Sequence, residues 1–336
     1  MEITPQQKIH LLPEHIIDQI KAGEVIERPS TLLKEIIENS IDAKSTKIDL
    51  HIINNGIDLI SIEDNGVGIN GDDLPMAFCR HATSKIDRFE DIYRLHSYGF
   101  RGEALASIAS ISRINCQSQT TQSKSQIKIE GGLTLLHQSE DAKSIKTGTK
   151  IYIKDLFYNT PVRMKFIQSQ KTEKNQINKI INAFLLTQPQ IHFSIKWDDH
   201  EKLIYPAQLQ LQDRVKDVFF KKKEVQLLET NNQYDGVNFK VLLSKESNRG
   251  NAHKFHYLFI NERFVQDIQL HKVILNSAFG LWPDGETGHY IAFLDLPTDE
   301  VDVNIHPNKT IVKLFQVPKV LATVSGSIKQ LLSKQL

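Results

Sequence analysis

The most regular pattern in the chain lies in residues 31–43, where apolar and polar positions recur with the period of a helix. The apolar positions of this stretch are Leu33, Ile36, Ile37 and Ile41. At about 100° per residue, Glu35, Asn39 and Asp42 fall together on the opposite face, and Lys34 is expected to point away from them. The pattern predicts an anchored helix that presents a carboxylate and, one turn later, an amide, although a plain solvated face has the same composition.

Similar patterns predict most of the other elements. Ser30 is expected to cap the 31–43 helix, and the turn Asn54-Asn55-Gly56 is expected to join two strands in a hairpin. The predicted strands are 47–53, 57–63, 113–119, 126–130, 149–155, 191–197, 239–244, 256–260 and 290–294. The predicted helices are 14–25, 72–81, 171–188, 268–279 and 317–332. The length of 336 residues favours two domains, with a boundary near Pro206.

The second strand of the hairpin runs directly into an acidic, glycine-rich stretch, residues 64–71. Residues 66–71 match the dinucleotide fingerprint G-x-G-x-x-G, but an antiparallel hairpin is the wrong context, and Asp64 would repel a pyrophosphate. A calcium loop is excluded because Ile69 and Pro75 replace its required glycine and glutamate. A plain turn remains possible. The better fit is a carboxylate that accepts hydrogen bonds from a base amino group, with glycines that let the ligand approach the backbone.

Residues 70–100 show no regular period and are long for a connection, which is typical of a functional lid or a disordered segment. The segment leads into Gly99 and Gly102, which precede a predicted helix. Free N–H groups at such a helix start form an anion site, although an ordinary glycine turn fits equally well.

Composition and charge limit the kinds of partner and the cellular compartment that the chain is expected to have. Lys and Arg total 41 against 40 Asp and Glu, so the net charge of +1 gives no global attraction to nucleic acid or membrane. Two cysteines, Cys79 and Cys116, have no metal-ligand spacing and suit a reducing compartment. The N-terminus does not resemble a signal peptide, and no apolar run approaches the ~20 residues of a membrane span. A cytoplasmic location is expected.

A last motif follows the alternating residues Val301, Val303 and Ile305, where Pro307 is expected to fix a turn that presents Lys309. No Walker P-loop, nucleophile elbow or His-Glu-x-x-His zinc motif occurs in the sequence. The remaining polar groups suit a nucleoside triphosphate, with Glu35 for water, Asn39 for a metal, Asp64 for a base and Lys309 for the terminal phosphate.

Six motifs together resemble the MutL family of DNA mismatch-repair proteins, and they span the chain from Ile16 to about Phe315. The motifs occupy residues 35–43, 64–69, 80–85, 99–105, 155–161 and 303–309. The first two occur throughout the wider superfamily of gyrase, heat-shock chaperones and histidine kinases, whereas 99–105 and 155–161 are much more specific to MutL.

The resemblance implies an α+β fold, in which a layered mixed β-sheet with helices on one face (the gyrase-type ATP-binding fold) occupies residues 1–206. A smaller α/β domain of ribosomal-protein type, residues 207–336, would contribute Lys309. Glu35 matches the general base, Asn39 the Mg²⁺ ligand and Asp64 the adenine-binding aspartate, and Thr149 matches a threonine that assists base recognition. The other nucleotide-binding positions implied by the motifs are Asp42, Ala43, Gly68, Lys85, Gly99, Phe100, Arg101 and Gly102.

The expected activity is slow, magnesium-dependent ATP hydrolysis that orders the lid at about 70–100 and drives homodimerisation. Expected partners are DNA, bound without sequence specificity and best as a single strand, a mismatch-recognition protein of the MutS family, and a downstream nuclease or helicase. A nucleoid-associated cytoplasmic protein is expected. Because family members usually continue into a C-terminal dimerisation domain, the chain is expected to be a fragment without nuclease activity. The alternative is a DNA-binding scaffold that does not need ATP, although a scaffold would not require Glu35 and Lys309.

Overall fold

The chain forms two compact units in the computed structural model, which describes residues 11–86, 88, 98–99, 102–221, 225–249, 254–302 and 312–334. The first unit comprises Met1–Ile180 and Phe193–Ile204, and the second comprises Ile181–His192 and Tyr205–Leu336. Of the predicted site residues, Phe100, Arg101 and Lys309 lie outside the described residues. Within the described part of the chain, no helix is both long and apolar enough to cross a membrane.

An eight-stranded sheet is the framework of the first unit, with strands in the order β5-β4-β3-β6-β2-β1-β7-β8. The strands are β1 (Lys47–Ile53), β2 (Leu59–Asp64), β3 (Arg113–Gln119), β4 (Ser123–Glu130), β5 (Leu133–Asp141), β6 (Gly148–Lys154), β7 (His192–Trp197) and β8 (Leu203–Tyr205). The helices that begin in this unit are α1 (Glu14–Val25), α2 (Pro29–Asp42), α3 (Ala104–Ser110), α4 (Pro161–Met164) and α5 (Gln170–Thr187), and α5 continues into the second unit from Ile181. From β5 to β1 every neighbouring pair is antiparallel.

The predicted hairpin is confirmed, and so is the exclusion of a dinucleotide fold at residues 66–71. Strand β1 pairs antiparallel with β2 from Ile48 opposite Asp64 to Ile53 opposite Leu59. On its other side β2 pairs antiparallel with β6, so no parallel crossover precedes the glycines. Buried and accessible residues alternate along β1 and β4, which is the pattern of a sheet covered by helices on one face.

Helix α2 is held by its apolar face, as predicted, but it begins differently. Leu32, Leu33, Ile36 and Ile37 are all buried. The helix starts at Pro29, with Arg28 at the N-cap position and no side-chain cap. The prediction that Ser30 caps the helix is therefore wrong, because the fixed φ of proline suits the first helical position.

The second unit is built on a five-stranded sheet in the order β12-β11-β13-β10-β9. Its strands are β9 (Leu227–Tyr234), β10 (Val237–Arg249), β11 (His256–Ile260), β12 (Arg263–Val265) and β13 (Glu286–Asp295), with a separate pair β14 (Val301–Asp302) and β15 (Lys313–Leu314). Its helices are α6 (Leu211–Val215), α7 (Ile268–Ser277) and α8 (Val317–Ser333). Apolar residues of α7 and α8, including Leu270, Ile274 and Val324, pack with the sheet in one core.

Some other elements also differ from the prediction, and strands β9 and β12 were not predicted. The predicted helix over 72–81 is reduced to a single 3₁₀ turn, Met76–Phe78, although Leu74 and Phe78 are buried. Strand β5 was missed because its residues are almost all exposed and so carry no alternating apolar signal.

Candidate functional site

The polar face of α2 holds a lysine from the predicted lid. The Nζ atom of Lys85 lies 2.6 Å from Asp42 Oδ2 and 3.0 Å from Asn39 Oδ1. The backbone N–H of Tyr98 donates to Asp42 Oδ1 at 3.1 Å, and that of Gly99 lies 3.5 Å from Asp42 Oδ2. The structure thus brings Asn39 and Asp42 together with Lys85 and Gly99, which are distant in sequence.

Glu35 lies on the same helix, but its surroundings differ from the prediction. Lys34 Nζ lies 3.7 Å from Glu35 Oε1 and 2.9 Å from Glu38 Oε1. The expectation that Lys34 points away from Glu35 is therefore wrong. A lysine side chain has a long, flexible stem, so its ammonium can reach across the helix surface to two carboxylates.

Asp64 is the last residue of β2, and its carboxylate is fixed by three donors. Ser40 Oγ donates to Oδ2 at 2.8 Å, while Ser45 Oγ at 3.1 Å and the backbone N–H of Gly66 at 2.9 Å donate to Oδ1. Burial raises the pKa of the Asp64 carboxyl above its usual range, and these hydrogen bonds oppose that shift. The contact with Ser40 ties Asp64 to α2 at the residue next to Asn39.

Thr149 is the direct cross-strand partner of Asp64, on β6. Its side chain is buried, and its hydroxyl lies 2.8 Å from the hydroxyl of Ser118 on β3. Two positions that the resemblance assigned to base recognition are therefore adjacent in space, although the sequence separates them widely.

The glycines after Asp64 make room for the protein's own backbone. A Cβ at Gly68 would lie 2.1 Å from the carbonyl oxygen of Gln119, and its φ is +75°. A Cβ at Gly66 would lie 2.6 Å from the carbonyl oxygen of Ala43, and that oxygen also accepts from Val67 N at 3.0 Å. The interpretation that these glycines serve only ligand approach is thus incomplete, because they are needed to dock the turn on α2 and β3.

Gly102 has a similar packing role at the start of α3. Its φ is +61°, and a Cβ there would lie 2.4 Å from the carbonyl oxygen of Ala82. The Gly102 carbonyl in turn accepts from the backbone N–H of His81 at 3.1 Å. These contacts join the predicted phosphate loop to the 80–85 motif, whereas the anion site itself stays a prediction.

Sequence reasoning missed Ser40 and Ser45 as hydrogen-bond donors to Asp64. Ser40 could have been found from its position beside Asn39 in the last turn of α2. Ser45 lies in the short connection between α2 and β1, and nothing in the local pattern marks it, since its role depends on how the hairpin returns to the helix.

The metal ligands that α2 offers suit a magnesium ion whose other ligands are oxygen atoms of water and phosphate. Among the described residues, no group of three or more His, Cys, Asp or Glu is placed to hold a metal. The amide oxygen of Asn39 is a hard ligand that already faces a cation, the Lys85 ammonium. Mg²⁺ keeps several waters and binds phosphates, so one such protein ligand fits it.

The lysines of the second unit, which are candidates for contact with DNA phosphates, are only partly described. Lys221 is exposed at a left-handed turn, and the ammonium of Lys254 donates to the hydroxyl of Thr287. Lys222 and Lys223 lie outside the described residues.

Two family models match the chain, one in each unit. The model described as "Histidine kinase-, DNA gyrase B-, and HSP90-like ATPase" matches residues 27–157, and "DNA mismatch repair protein, C-terminal domain" matches residues 215–333.

Curated relatives named "DNA mismatch repair protein MutL" include one from Neisseria meningitidis serogroup C / serotype 2a, 38% identical over 97% of this chain and 49% of its own length. Another, from Thermosipho africanus, is 36% identical over 98% of this chain and 57% of its own length. The chain therefore spans about half the length of these relatives.

The solved structure "Aquifex aeolicus MutL ATPase domain complexed with ADP" is 26% identical, with a TM-score of 0.60, and covers 81% of this chain and 93% of its own. "Crystal Structure of N terminal domain of a DNA repair protein" shares the fold, with a TM-score of 0.73 at 21% identity over 95% of this chain and 98% of its own.

The sheet, the α2 face and the Asp64 turn place the first unit in the class of histidine kinase-, gyrase B- and HSP90-like ATPase domains. With both units matched, the chain belongs to the MutL family of DNA mismatch-repair proteins.

Proposed function

We propose that the first unit binds ATP with magnesium and hydrolyses it slowly in the service of DNA mismatch repair. One observation carries the proposal: Asp64, paired across the sheet with Thr149, is hydrogen-bonded through Ser40 to the same helix that presents Glu35 and Asn39. A base-binding carboxylate on β2 is thus tied directly to the helix that carries the candidate hydrolytic carboxylate.

The base would lie against the end of β2. The Asp64 carboxylate accepts a hydrogen bond from the adenine amino group, and the Thr149 hydroxyl assists in recognition of the base. Ser40, Ser45 and the Gly66 N–H fix the orientation of Asp64, so little conformational freedom is lost on binding. Ala43 and Gly68 shape the turn around the base.

The phosphates would lie over the end of α2. Asn39 would supply its amide oxygen to magnesium, and the bound ion would supply positive charge to offset that of the phosphates. Lys85 now donates to Asn39 Oδ1, so it exchanges this partner for a phosphate oxygen when nucleotide enters. Gly99, Phe100, Arg101 and Gly102 would bind phosphate through their backbone N–H groups.

Hydrolysis would depend on Glu35 as the general base, which orients a water and takes its proton. Lys309 is assigned to the terminal phosphate, where an ammonium offsets developing charge. Ordering of the segment at about 70–100 and pairing of two chains would follow ATP binding, as in other γ-phosphate switches.

The wider role follows from the family. We propose non-specific DNA binding favouring single strands, coupling to a MutS-family protein and to a downstream nuclease or helicase, and a nucleoid-associated cytoplasmic location. Because the net charge is only +1, DNA affinity should be weak and steeply salt-sensitive.

The deciding experiment is titration of the purified chain with labelled ATP, with and without magnesium, together with phosphate release. We expect saturable binding and slow release that both need magnesium. If the chain is a scaffold that does not need ATP, it should bind DNA but show neither saturable ATP binding nor phosphate release.

Assembly is tested separately by light scattering with a non-hydrolysable ATP analogue. A monomer at saturating analogue would exclude the dimer switch in this chain, and a DNA affinity that does not change between low and moderate salt would exclude the electrostatic account of DNA binding.

A further inference from the structure

One ammonium on α2 is shared between two carboxylates of unequal burial. Lys34 Nζ lies 2.9 Å from Glu38 Oε1 and 3.7 Å from Glu35 Oε1. The side chains of Lys34, Glu38 and Glu35 are 15%, 3% and 17% exposed. Because these side chains are largely buried, the effective dielectric is low, and their charges interact more strongly than charges at an exposed surface.

Glu38 determines where the ammonium lies. A carboxylate this buried needs a compensating charge, since an unpaired one is strongly destabilising. Residues four apart on a helix are neighbours on its surface, so Lys34 is the partner that the helix itself offers. The closer contact to Glu38 leaves the ammonium near Glu35 without placing it in direct contact.

That spacing has a chemical consequence for Glu35. A cation in direct contact would occupy the carboxylate oxygen and weaken it as a base. Without a cation nearby, the side chain could change rotamer. An ammonium held at the longer distance orients Oε1 by its charge without occupying it.

We infer that Lys34 is a positioning residue for Glu35 and that Glu38 controls it by retaining the ammonium. The inference rests on the proposed function, in which Glu35 is the base. It extends that function to two residues outside the nucleotide contacts proposed above.

The test compares ATP hydrolysis and ATP affinity in single and double variants. Lys34→Met should lower kcat about tenfold or more and change the Kd for ATP less than about twofold, because Lys34 contacts no nucleotide. Lys34→Arg should recover most of the rate. Lys47→Met is the matched control, because it removes a lysine whose ion pair with Asp49 is on β1.

Glu38→Gln should also be slow, because the released ammonium moves onto Glu35. The decisive variant is Lys34→Met combined with Glu38→Gln, which should hydrolyse ATP faster than Glu38→Gln alone. If both residues merely supported the helix, the slow single variants would also bind ATP more weakly, whereas the inference confines their effect to kcat.

The double variant also removes the charge that Lys34→Met would leave buried, so it keeps the test valid if that single variant fails to fold. A double variant no faster than Glu38→Gln overturns the inference, as does a parent-like kcat for Lys34→Met. Either result beside a slow Glu35→Ala leaves the proposed function standing, whereas a parent-like Glu35→Ala removes the proposed base itself.

Discussion

Lys85 and Asp42 form an ion pair across the proposed phosphate site, with Nζ 2.6 Å from Oδ2. The same ammonium lies 3.0 Å from Asn39 Oδ1. Two oxygen atoms of α2 therefore already face a positive charge. The contact links the 80–85 motif to α2 and defines the group that must move when a metal or phosphate enters.

Lys85→Met should weaken ATP binding about tenfold or more, because a charge-assisted hydrogen bond to phosphate is lost. Adenosine, which has no phosphate, should bind as it does to the parent. Isothermal titration with both ligands measures this, and Lys128→Met, at an exposed position on β4, is the control. Equal losses for ATP and adenosine would contradict a phosphate role.

Glu35→Ala should bind ATP nearly normally and hydrolyse it at least ~100-fold more slowly, which is the range of a general base. Phosphate release and nucleotide titration on the same sample separate the two effects. Glu63→Ala, at an exposed position on β2, should behave like the parent. Hydrolysis at the parent rate by Glu35→Ala would refute the assignment.

Asp64 should make the site selective for adenine, because guanine presents a carbonyl oxygen where adenine presents an amino group. Losing a charge-assisted hydrogen bond costs roughly 1.5–3 kcal/mol, so Asp64→Asn should bind ATP about 10- to 100-fold more weakly. Isothermal titration with ATP and GTP measures both effects, with Asp58→Asn in an exposed turn as control. Equal affinity of the parent for ATP and GTP would rule out this role.

The sequence predicted the parts of the site that depend on local periodicity. Helix spacing placed Glu35, Asn39 and Asp42 on α2, and the hairpin pattern placed Asp64 at a strand end. Recognition of family motifs was needed for Thr149, because its pairing with Asp64 arises from sheet order and leaves no local signal.

The two errors in the predicted site also have physical causes. Lys34 was misplaced because helical angle locates a Cβ and not the end of a flexible side chain. Gly68 was assigned to ligand approach, since nothing near it in sequence reveals that the Gln119 carbonyl of β3 lies against it. The Gly68 contact depends on a neighbour that only the folded chain supplies, whereas the Lys34–Glu38 pair has a spacing that a helix brings together.

Gly68→Ala should destabilise the first unit by about 2 kcal/mol or more, because a Cβ would lie 2.1 Å from a backbone oxygen at a φ of +75°. Gly280→Ala is the matched control: no atom lies within 4 Å of its added Cβ, so its effect should stay within about 0.5 kcal/mol. Denaturant unfolding measures both. A loss of ATP affinity without loss of stability would instead support a role confined to the ligand.

His256 in the second unit should make that unit less stable in mild acid. Its Nε2 lies 3.0 Å from the carbonyl oxygen of Gly288, and its ring stacks on Tyr290 at 4.7 Å. Burial, with the nearby His271, His289 and Lys254, lowers its pKa from 6.5 to about 4, while the Gly288 contact opposes the shift.

Because the folded pKa of His256 lies below the unfolded value, the unfolded chain binds more protons between pH 6.5 and 4, and stability falls as the pH falls through that window. From pH 7 to pH 5 the loss from this residue should be about 2 kcal/mol. His256→Gln should show a correspondingly smaller loss in denaturant unfolding, whereas His200→Gln, at an exposed position of the first unit, should match the parent. Titration of the native imidazole by NMR gives an independent measure, and an inflection near pH 6.5 would contradict the prediction.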